Sequence, residues 1–479
     1  MFPIGFCTMK TKTVIYKPKT NPLPHQLEAT QFLVKNNEAA VFDEQGVGKT
    51  KEVIDAIITI LKEETADAAL VICPKSLLYN WEDEIKKHSY LVPITIDGSG
   101  MGKKYRFLSF ANIYILNYEG VKAEEEIVNL LLKSQKFIVV LDEAQRIKNP
   151  ESQTFKSIDK IKNLAVRRFI LTGTPVANKP EDLWAQFYFL DNGKTLGNNY
   201  SLFKREYNQD NLSKSKLLEL QTTIRSKSIR RLKDDVLELP DKVFKTVYVD
   251  LASKQKQIYL KLKKELLIEV LKTDEQTIID ESKNILKKLL RLVQIASNPS
   301  LIVLDYKETP SKFKKLDELV KEIVKNKEKV IIWTSFVENV KLLKNRYKGF
   351  GSLAISGETE IRVRHTFVNL FQNDENYKVM IANPAAAREG ITLTAANNAI
   401  YVDRTFNLVD YLQSQDRIHR ISQRKESTII KLIANDTIDL FVEDNLSKKQ
   451  DVARVIQGDT NEIDESNYLT KSELVQLLK

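Results

Sequence analysis

The sequence has only two cysteines, Cys7 and Cys73, in 479 residues. Two thiols cannot build a disulfide framework or a cysteine-rich zinc site, and their scarcity suits a reducing compartment. No run of about 18 apolar residues exists, the length a membrane-crossing helix needs. The opening MFPIGFCTMK lacks the basic segment of a signal peptide. A cytoplasmic chain with no membrane partner is expected. Low-complexity tracts and short repeats are also missing. Acidic residues are in deficit, 64 Asp and Glu against 74 Lys and Arg, a net charge of +10. That excess favours a polyanion such as nucleic acid, although many lysines sit in Lys/Glu-rich helices and only solvate a face.

What is present is a globular composition, 42% hydrophobic and 29% charged, in a length that suits about three ordinary domains. Short apolar runs alternate with helical patterns. AAVFD (39–43), ALVICP (69–74), IYILNY (113–118), FIVVLDE (137–143) and RFILTGT (168–174) come first. VIIWTS (330–335), LAISG (353–357), VMIANP (379–384), AIYVD (399–403) and TIIKLIA (428–434) follow later. Continuous Val/Ile-rich runs of this length predict strands buried on both faces of a parallel sheet. Helical segments such as VIDAIITILKEE (53–64) lie between them, so the class is α/β, in two units. Between the units, residues 250–326 are poor in Gly and Pro. They carry Ile285, Leu286, Leu289, Leu290 and Val293 at helical spacing, which predicts a helical insertion.

The chemistry gathers where strands end. DEQGVGKT (43–50) lies between a predicted strand and a predicted helix, the setting of a phosphate loop, although the usual opening glycine is replaced by Asp43. Gly46 and Gly48 permit close backbone approach, Lys49 suits the β- and γ-phosphates, and Thr50 suits Mg²⁺. FIVVLDEAQ places Asp142 and Glu143 at a strand's carboxyl edge, where α/β sheets bind ligands. Asp142 suits the metal's water shell, and Glu143 suits orientation of an attacking water. YLQSQDRIHRISQ supplies Arg417 and Arg420, three apart and so expected on one helical face, for charge on the γ-phosphate. They lie in the second unit, so hydrolysis would require the units to close. His419, between them, is expected to be structural. ATP and Mg²⁺ are the expected cofactors.

The order DEQGVGKT, LVICPKSLLYNW, LDEAQRIKN, LTGTPVANKPEDLW, RRLKDDVLELPDK, NPAAAREGITL and QSQDRIHRISQ resembles the Swi/Snf-type ATPases of helicase superfamily two, from about Leu23 to Asp459. The family's first motif reads D-E-M-G-L-G-K-T, which accounts for Asp43. The resemblance implies two tandem RecA-like lobes, over 1–235 and 311–479, with a hinge and helical protrusion over 236–310. Arg230 and Arg231 would form the hinge. The resemblance implies Gln26 at adenine and a cradle of Asp43, Glu44, Gln45, Gly46, Val47, Gly48, Lys49 and Thr50. Gln145, Gly390 and Gln413 complete the implied nucleotide contacts. Thr172 to Pro175 would couple nucleotide to DNA.

By position in the motifs, Lys75, Ser76, Asn117, Tyr118, Ser335, Phe336, Arg388 and Thr392 are the expected nucleic-acid contacts. Trp81 and Trp184 match motif positions too, but burial explains both equally well. The family's A-G-G-L-G-I-N is here Ala386, Ala387, Arg388, Glu389, Gly390, Ile391 and Thr392, which trades two small positions for charge. Its D-x-x-W-N-P is Asp403 to Leu408, with Phe406 for tryptophan and no proline. The expectation is a nearly bare motor, a monomer with at most an unidentified protein partner, moving along duplex DNA. A strand-separating helicase on DNA or RNA, and a binding module with an inactive ATPase, are the alternatives.

Overall fold

The computed structural model describes residues 15–176, 179–207, 212–272, 282–387, 391–420 and 422–460. Seven strands form the first sheet: β1 (Glu38–Val41), β2 (Ala68–Cys73), β3 (Pro93–Thr95), β4 (Ile113–Asn117), β5 (Phe137–Asp142), β6 (Ala165–Leu171) and β7 (Ser228–Ile229). Their order is β3-β4-β2-β5-β6-β1-β7. The second sheet holds β8 (Lys242–Val249), β9 (Val330–Trp333), β10 (Ser352–Ile355), β11 (Val379–Ala382), β12 (Asn398–Tyr401) and β13 (Ser427–Ala434). Its order is β10-β11-β9-β12-β13-β8. Every strand pair in both sheets is parallel. The fold class is the α/β pair of parallel-sheet lobes that the apolar runs predict.

The runs are continuous because both sheet faces are covered. Phe137, Val139 and Leu141 of β5 enter one core cluster, while Ile138 and Val140 enter the cluster on the opposite face. β9 divides in the same way, with Ile331 and Trp333 on one side and Val330 and Ile332 on the other. A side chain buried in such a core stabilises by about 1.5–3 kcal/mol.

Three strands escaped the sequence reading. β3 and β7 are too short to show a pattern. β8, KVFKTVYV, alternates with lysine and is half exposed, because it is the outer strand beside β13. β8 lies within the stretch expected as hinge and protrusion, yet pairs with β13 along its whole length, so the second sheet begins at Lys242. Helices Ser253–Lys272, Ser282–Ser297 and Ser311–Lys325 occupy the expected helical region. The helix Ile438–Gln457 joins the lobes. Its Ile438, Val442 and Leu446 enter the second lobe's core, while Val452, Ala453, Val455 and Ile456 enter the first lobe's. Just beyond it, Asp459 receives two bonds from Arg230, Nε at 2.5 Å and Nη2 at 2.6 Å.

Candidate nucleotide site between the lobes

The loop after β1 opens the helix Lys49–Lys62. Gly48 stands at that opening with φ 112°, a backbone conformation side chains avoid. A Cβ there would lie 2.2 Å from Gln26 Nε2. Gln26 is buried against the loop, its Oε1 accepting from Leu23 N at 3.0 Å and its Nε2 donating to the Val47 carbonyl at 3.4 Å. Lys49 Nζ donates to the carbonyls of Asp43 at 2.7 Å and Glu44 at 3.2 Å, so the ammonium is folded over the loop's own backbone. Thr50 and Gly46 are half-buried beside it. Asp43 is fully buried and paired with Arg231, whose guanidinium also reaches Glu52 Oε1 at 3.1 Å. Burial, with the charge of Asp43, pushes the Glu52 carboxyl up to about 8.

Asp142 ends β5, with β6 between it and β1, so its carboxylate and the loop share one edge of the sheet. Trp81 Nε1 donates to Asp142 Oδ2 at 2.8 Å, and the Tyr118 hydroxyl donates to the Asp142 carbonyl at 2.8 Å. Burial pushes the Asp142 carboxyl up to about 7, helped by the charge of Glu143 and opposed by the Trp81 N–H and Lys49. Glu143 adopts φ 53° and ψ 51°. A left-handed conformation costs a side-chain-bearing residue about 1–3 kcal/mol and collects at functional sites. Its Oε2 accepts from Gln145 Nε2 at 2.6 Å and, across the cleft, from Gln413 Nε2 at 3.2 Å.

The second lobe's contribution differs in one respect from expectation. The helix Leu408–Gln415 stops at Gln415, so Arg417 and Arg420 lie on turns beyond it and share no helical face. They reach the cleft all the same. Arg417 is buried, with Nε on the Gln413 carbonyl at 2.8 Å and Nη2 on Gln45 Oε1 of the first lobe at 2.9 Å. Arg420 Nη1 donates to Thr392 Oγ1 at 2.9 Å, and its Nε to the Asp416 carbonyl at 2.9 Å. Burial disfavours the charge on both guanidiniums and, with Arg417 alongside, pushes Arg420 down to about 9. A buried and a half-buried guanidinium in one cleft, each disfavoured in its charge, are a setting that an anion would relieve. Gln45 Nε2, Gln145 Oε1, Gln413 Oε1 and Thr174 Oγ1 are buried around the cleft without a hydrogen-bond partner. Buried polar groups of this kind are paired in nearly all native proteins, so these atoms await water or a ligand.

The expected nucleic-acid contacts fare unevenly. Lys75 is exposed at the start of the turn Lys75–Leu77, and Ser76 beside it has a buried hydroxyl oxygen without a partner. Asn117 Nδ2 donates to Glu119 Oε2 at 2.7 Å. Tyr118 is 1% exposed, donates its hydroxyl to the Asp142 carbonyl, and lines the larger of two adjoining cavities. Thr392 is engaged by Arg420, Ser335 N is held by Asp403 Oδ1 at 2.6 Å, and Phe336 packs on the second core. Arg388 and Gly390 lie outside the described residues. A cavity of about 330 Å³ bordered by Pro74, Glu119, Glu143 and Asn407 adjoins one of about 180 Å³ bordered by Ser335, Asn383, Arg404 and Asn407. Asn407 lines both. His419 pairs its Nε2 with the Pro240 carbonyl at 2.9 Å. Trp184 is structural, stacked on Tyr188 with its Nε1 on the Gly197 carbonyl.

Sequence reasoning missed the role of Trp81 and the ionic links from the RRLK stretch. Besides Arg231 to Asp43, Lys233 is buried with Nζ 2.5 Å from Asp416 Oδ1. The one sequence signal was the presence of these charges in motifs without an assigned partner.

The SNF2-related domain model matches residues 25–301, and the helicase conserved C-terminal domain model matches residues 311–422. An uncharacterized ATP-dependent helicase of Mycoplasma pneumoniae is 32% identical over 448 residues, covering 91% of this chain and 42% of that protein. The putative ATP-dependent helicase/translocase YwqA of Bacillus subtilis is 29% identical over 461 residues, covering 92% of this chain and 48% of that protein. This chain thus spans less than half the length of either relative. Among solved structures, the Sulfolobus solfataricus SWI2/SNF2 ATPase core in complex with dsDNA is 28% identical, with a TM-score of 0.45, covering 93% of this chain and 95% of that one. No helix among the described residues is long and apolar enough to cross a membrane. Two adjoining matches, the first over more than half of the sequence, place this chain in the SNF2-related family, with a helicase C-terminal domain following the SNF2-related one.

Proposed function

We propose that this chain hydrolyses ATP in the cleft between its lobes and uses the cycle to move along duplex DNA without reading its sequence. The observation that carries this reading is the bridge across the cleft, Arg417 to Gln45 and Gln413 to Glu143. It puts second-lobe arginines beside first-lobe phosphate-binding and carboxylate groups.

In this reading Gln26 meets the adenine, and Lys49 leaves the carbonyls of Asp43 and Glu44 for the β- and γ-phosphates. The N–H groups of the loop and the helix beginning at Lys49 face the same phosphates. Thr50 and Asp142 would hold Mg²⁺. The carboxyl of Asp142, raised by burial, lacks the counter-charge that a dication brings. When bound, the ion neutralises phosphate charge. Glu143 exchanges Gln145 and Gln413 for the attacking water and orients it. Arg417 and Arg420 give up Gln45 and Thr392 for the γ-phosphate, where one well-placed arginine is worth about 10³–10⁵ in rate. Hydrolysis splits the γ-phosphate from ADP, and its release as inorganic phosphate removes the anion both lobes grip, so lobe closure follows nucleotide state.

The two cavities that share Asn407, one bordered by first-lobe residues and one by Ser335 and other second-lobe residues, support a nucleic-acid track, as does the net charge of +10. Contacts to phosphates position a protein without specifying sequence. A triplex-displacement assay tests this directly. ATP-dependent release of a third strand from an intact duplex is expected, abolished by Lys49→Ala. Strand separation of a forked substrate without third-strand release would instead indicate a helicase.

A further inference from the structure

Lys233 lies at the junction of three segments. Its backbone N–H donates to Glu44 Oε2 of the phosphate loop at 2.9 Å. Its Nζ is 2.5 Å from Asp416 Oδ1, 3.2 Å from the His419 carbonyl and 3.9 Å from Glu44 Oε1. Asp416 immediately precedes Arg417, and its carbonyl holds Arg420 Nε. The lysine's Cε is 3.4 Å from where a Cβ on Gly46 would stand, and Arg420 Cγ is 3.6 Å from that point. The side chain is 1% exposed. Lysines are almost never buried this deeply unless paired, because desolvating the ammonium is costly. A buried ion pair is also a poor source of stability, since apolar residues of similar volume often do as well or better. Packing alone therefore does not account for a lysine here, whereas fixing the register of two charged segments does.

We propose that Lys233 is a positioning residue that sets the second-lobe arginines against the phosphate loop. Its backbone is tied to Glu44 on the first lobe. Its ammonium holds Asp416 on the second, and through Asp416 it fixes the turn bearing Arg417 and Arg420. It does not touch the nucleotide. Lys242 Nζ stands 3.7 Å from Asp416 Oδ1 and is the secondary partner of that carboxylate. The inference rests on the ATPase reading for its effect on rate, but not for its effect on lobe docking.

The test compares the full chain with Lys233→Met and with the double variant Lys233→Met, Asp416→Asn. Small-angle X-ray scattering without nucleotide reads lobe docking. Binding of a fluorescent ATP analogue reads affinity, and steady-state hydrolysis separates kcat from KM. Lys233→Met leaves Asp416 buried beside a weaker partner and should raise the radius of gyration. It should lower kcat at least tenfold and change analogue affinity less than threefold. The double variant lacks the link altogether and leaves Lys242 without the Asp416 carboxylate, so it should stay as expanded and as slow as Lys233→Met, and recovery of compactness and kcat in it would overturn the proposal. Unchanged compactness and kcat in Lys233→Met would overturn the proposal. So would a loss of analogue affinity as large as the loss of kcat, which would make Lys233 a nucleotide contact. Equal unfolding of both variants in a thermal melt would overturn it too, by making the residue a fold support. If the unmodified chain hydrolyses no ATP, the functional reading fails, while the scattering comparison still decides the latch.

Discussion

Replacing Gly48 with alanine tests the geometry of the phosphate loop by a single methyl group. At φ 112° the backbone is in a region that an L side chain rarely adopts, and the cost is about 1–3 kcal/mol. The new Cβ would also stand 2.2 Å from Gln26 Nε2, so Gln26 must swing away. That movement breaks its bonds with Leu23 N and the Val47 carbonyl, each worth about 0.5–1.5 kcal/mol. The amide is the far end of a flexible side chain and regains water, so a combined cost of about 2–3 kcal/mol is expected. For a lobe of this size that lowers the melting temperature by roughly 4–12 °C. Nucleotide affinity should fall further, because Gln26 no longer lies against the loop. Gly102 is the control. It lies in the helix Gly100–Leu108 with no atom within 4 Å of an added Cβ. Alanine there should stabilise by up to about 1 kcal/mol. Differential scanning calorimetry with and without ATP compares the two. A Gly48→Ala protein that melts and binds like the unmodified chain would refute the reasoning, and so would equal destabilisation by both substitutions.

Trp81→Phe removes the donor at Asp142 Oδ2, and hydrogen bonds to charged groups are worth about 1.5–3 kcal/mol. The Mg²⁺ concentration for half-maximal hydrolysis should therefore rise about tenfold or more, while binding of metal-free nucleotide changes little. Glu443 gives a pH signature. Burial works against its charge, but Arg404 and Lys431 outweigh burial and hold its carboxyl below the usual value. Its contribution is present above the unfolded value of about 4.3 and is lost as pH falls through the folded one. Glu443→Gln should thus destabilise the second lobe at pH 7, and urea melts should show that difference shrinking as the solution is taken below pH 4. Binding to duplex DNA should weaken steeply with salt, with a log–log slope near −0.9 for each phosphate neutralised. A flat salt response, measured by fluorescence anisotropy, would count against contact with the DNA backbone.

The parts legible in the sequence were those coded by neighbours in the chain. FIVVLDE announces a doubly buried strand and two carboxylates at its end, because burial and chemistry are both local there. DEQGVGKT announces itself in the same way. β8 was illegible because an outer strand needs only one apolar face, so lysines interrupt its run. The shared helical face of Arg417 and Arg420 failed because the helix ends at Gln415, and spacing alone does not show where a helix stops. Tyr118 and Trp81 gained their partner, Asp142, only through folding, 24 and 61 residues along the chain. The link from Lys233 to Asp416 spans 183 residues and the gap between lobes, so no local pattern announces it.

The proposed cycle requires the second lobe to present arginine to the first on a DNA track. It is tested most directly by measuring ATP hydrolysis without nucleic acid and with duplex DNA, single-stranded DNA or RNA, in the unmodified chain, Lys49→Ala and Arg417→Ala. Strong stimulation by duplex DNA is expected, with loss of hydrolysis in Lys49→Ala and a fall of about 10³-fold or more in Arg417→Ala, analogue binding being largely kept. Hydrolysis in Arg417→Ala equal to that of the unmodified chain, or stimulation by single strands or RNA but not by duplex, would contradict it.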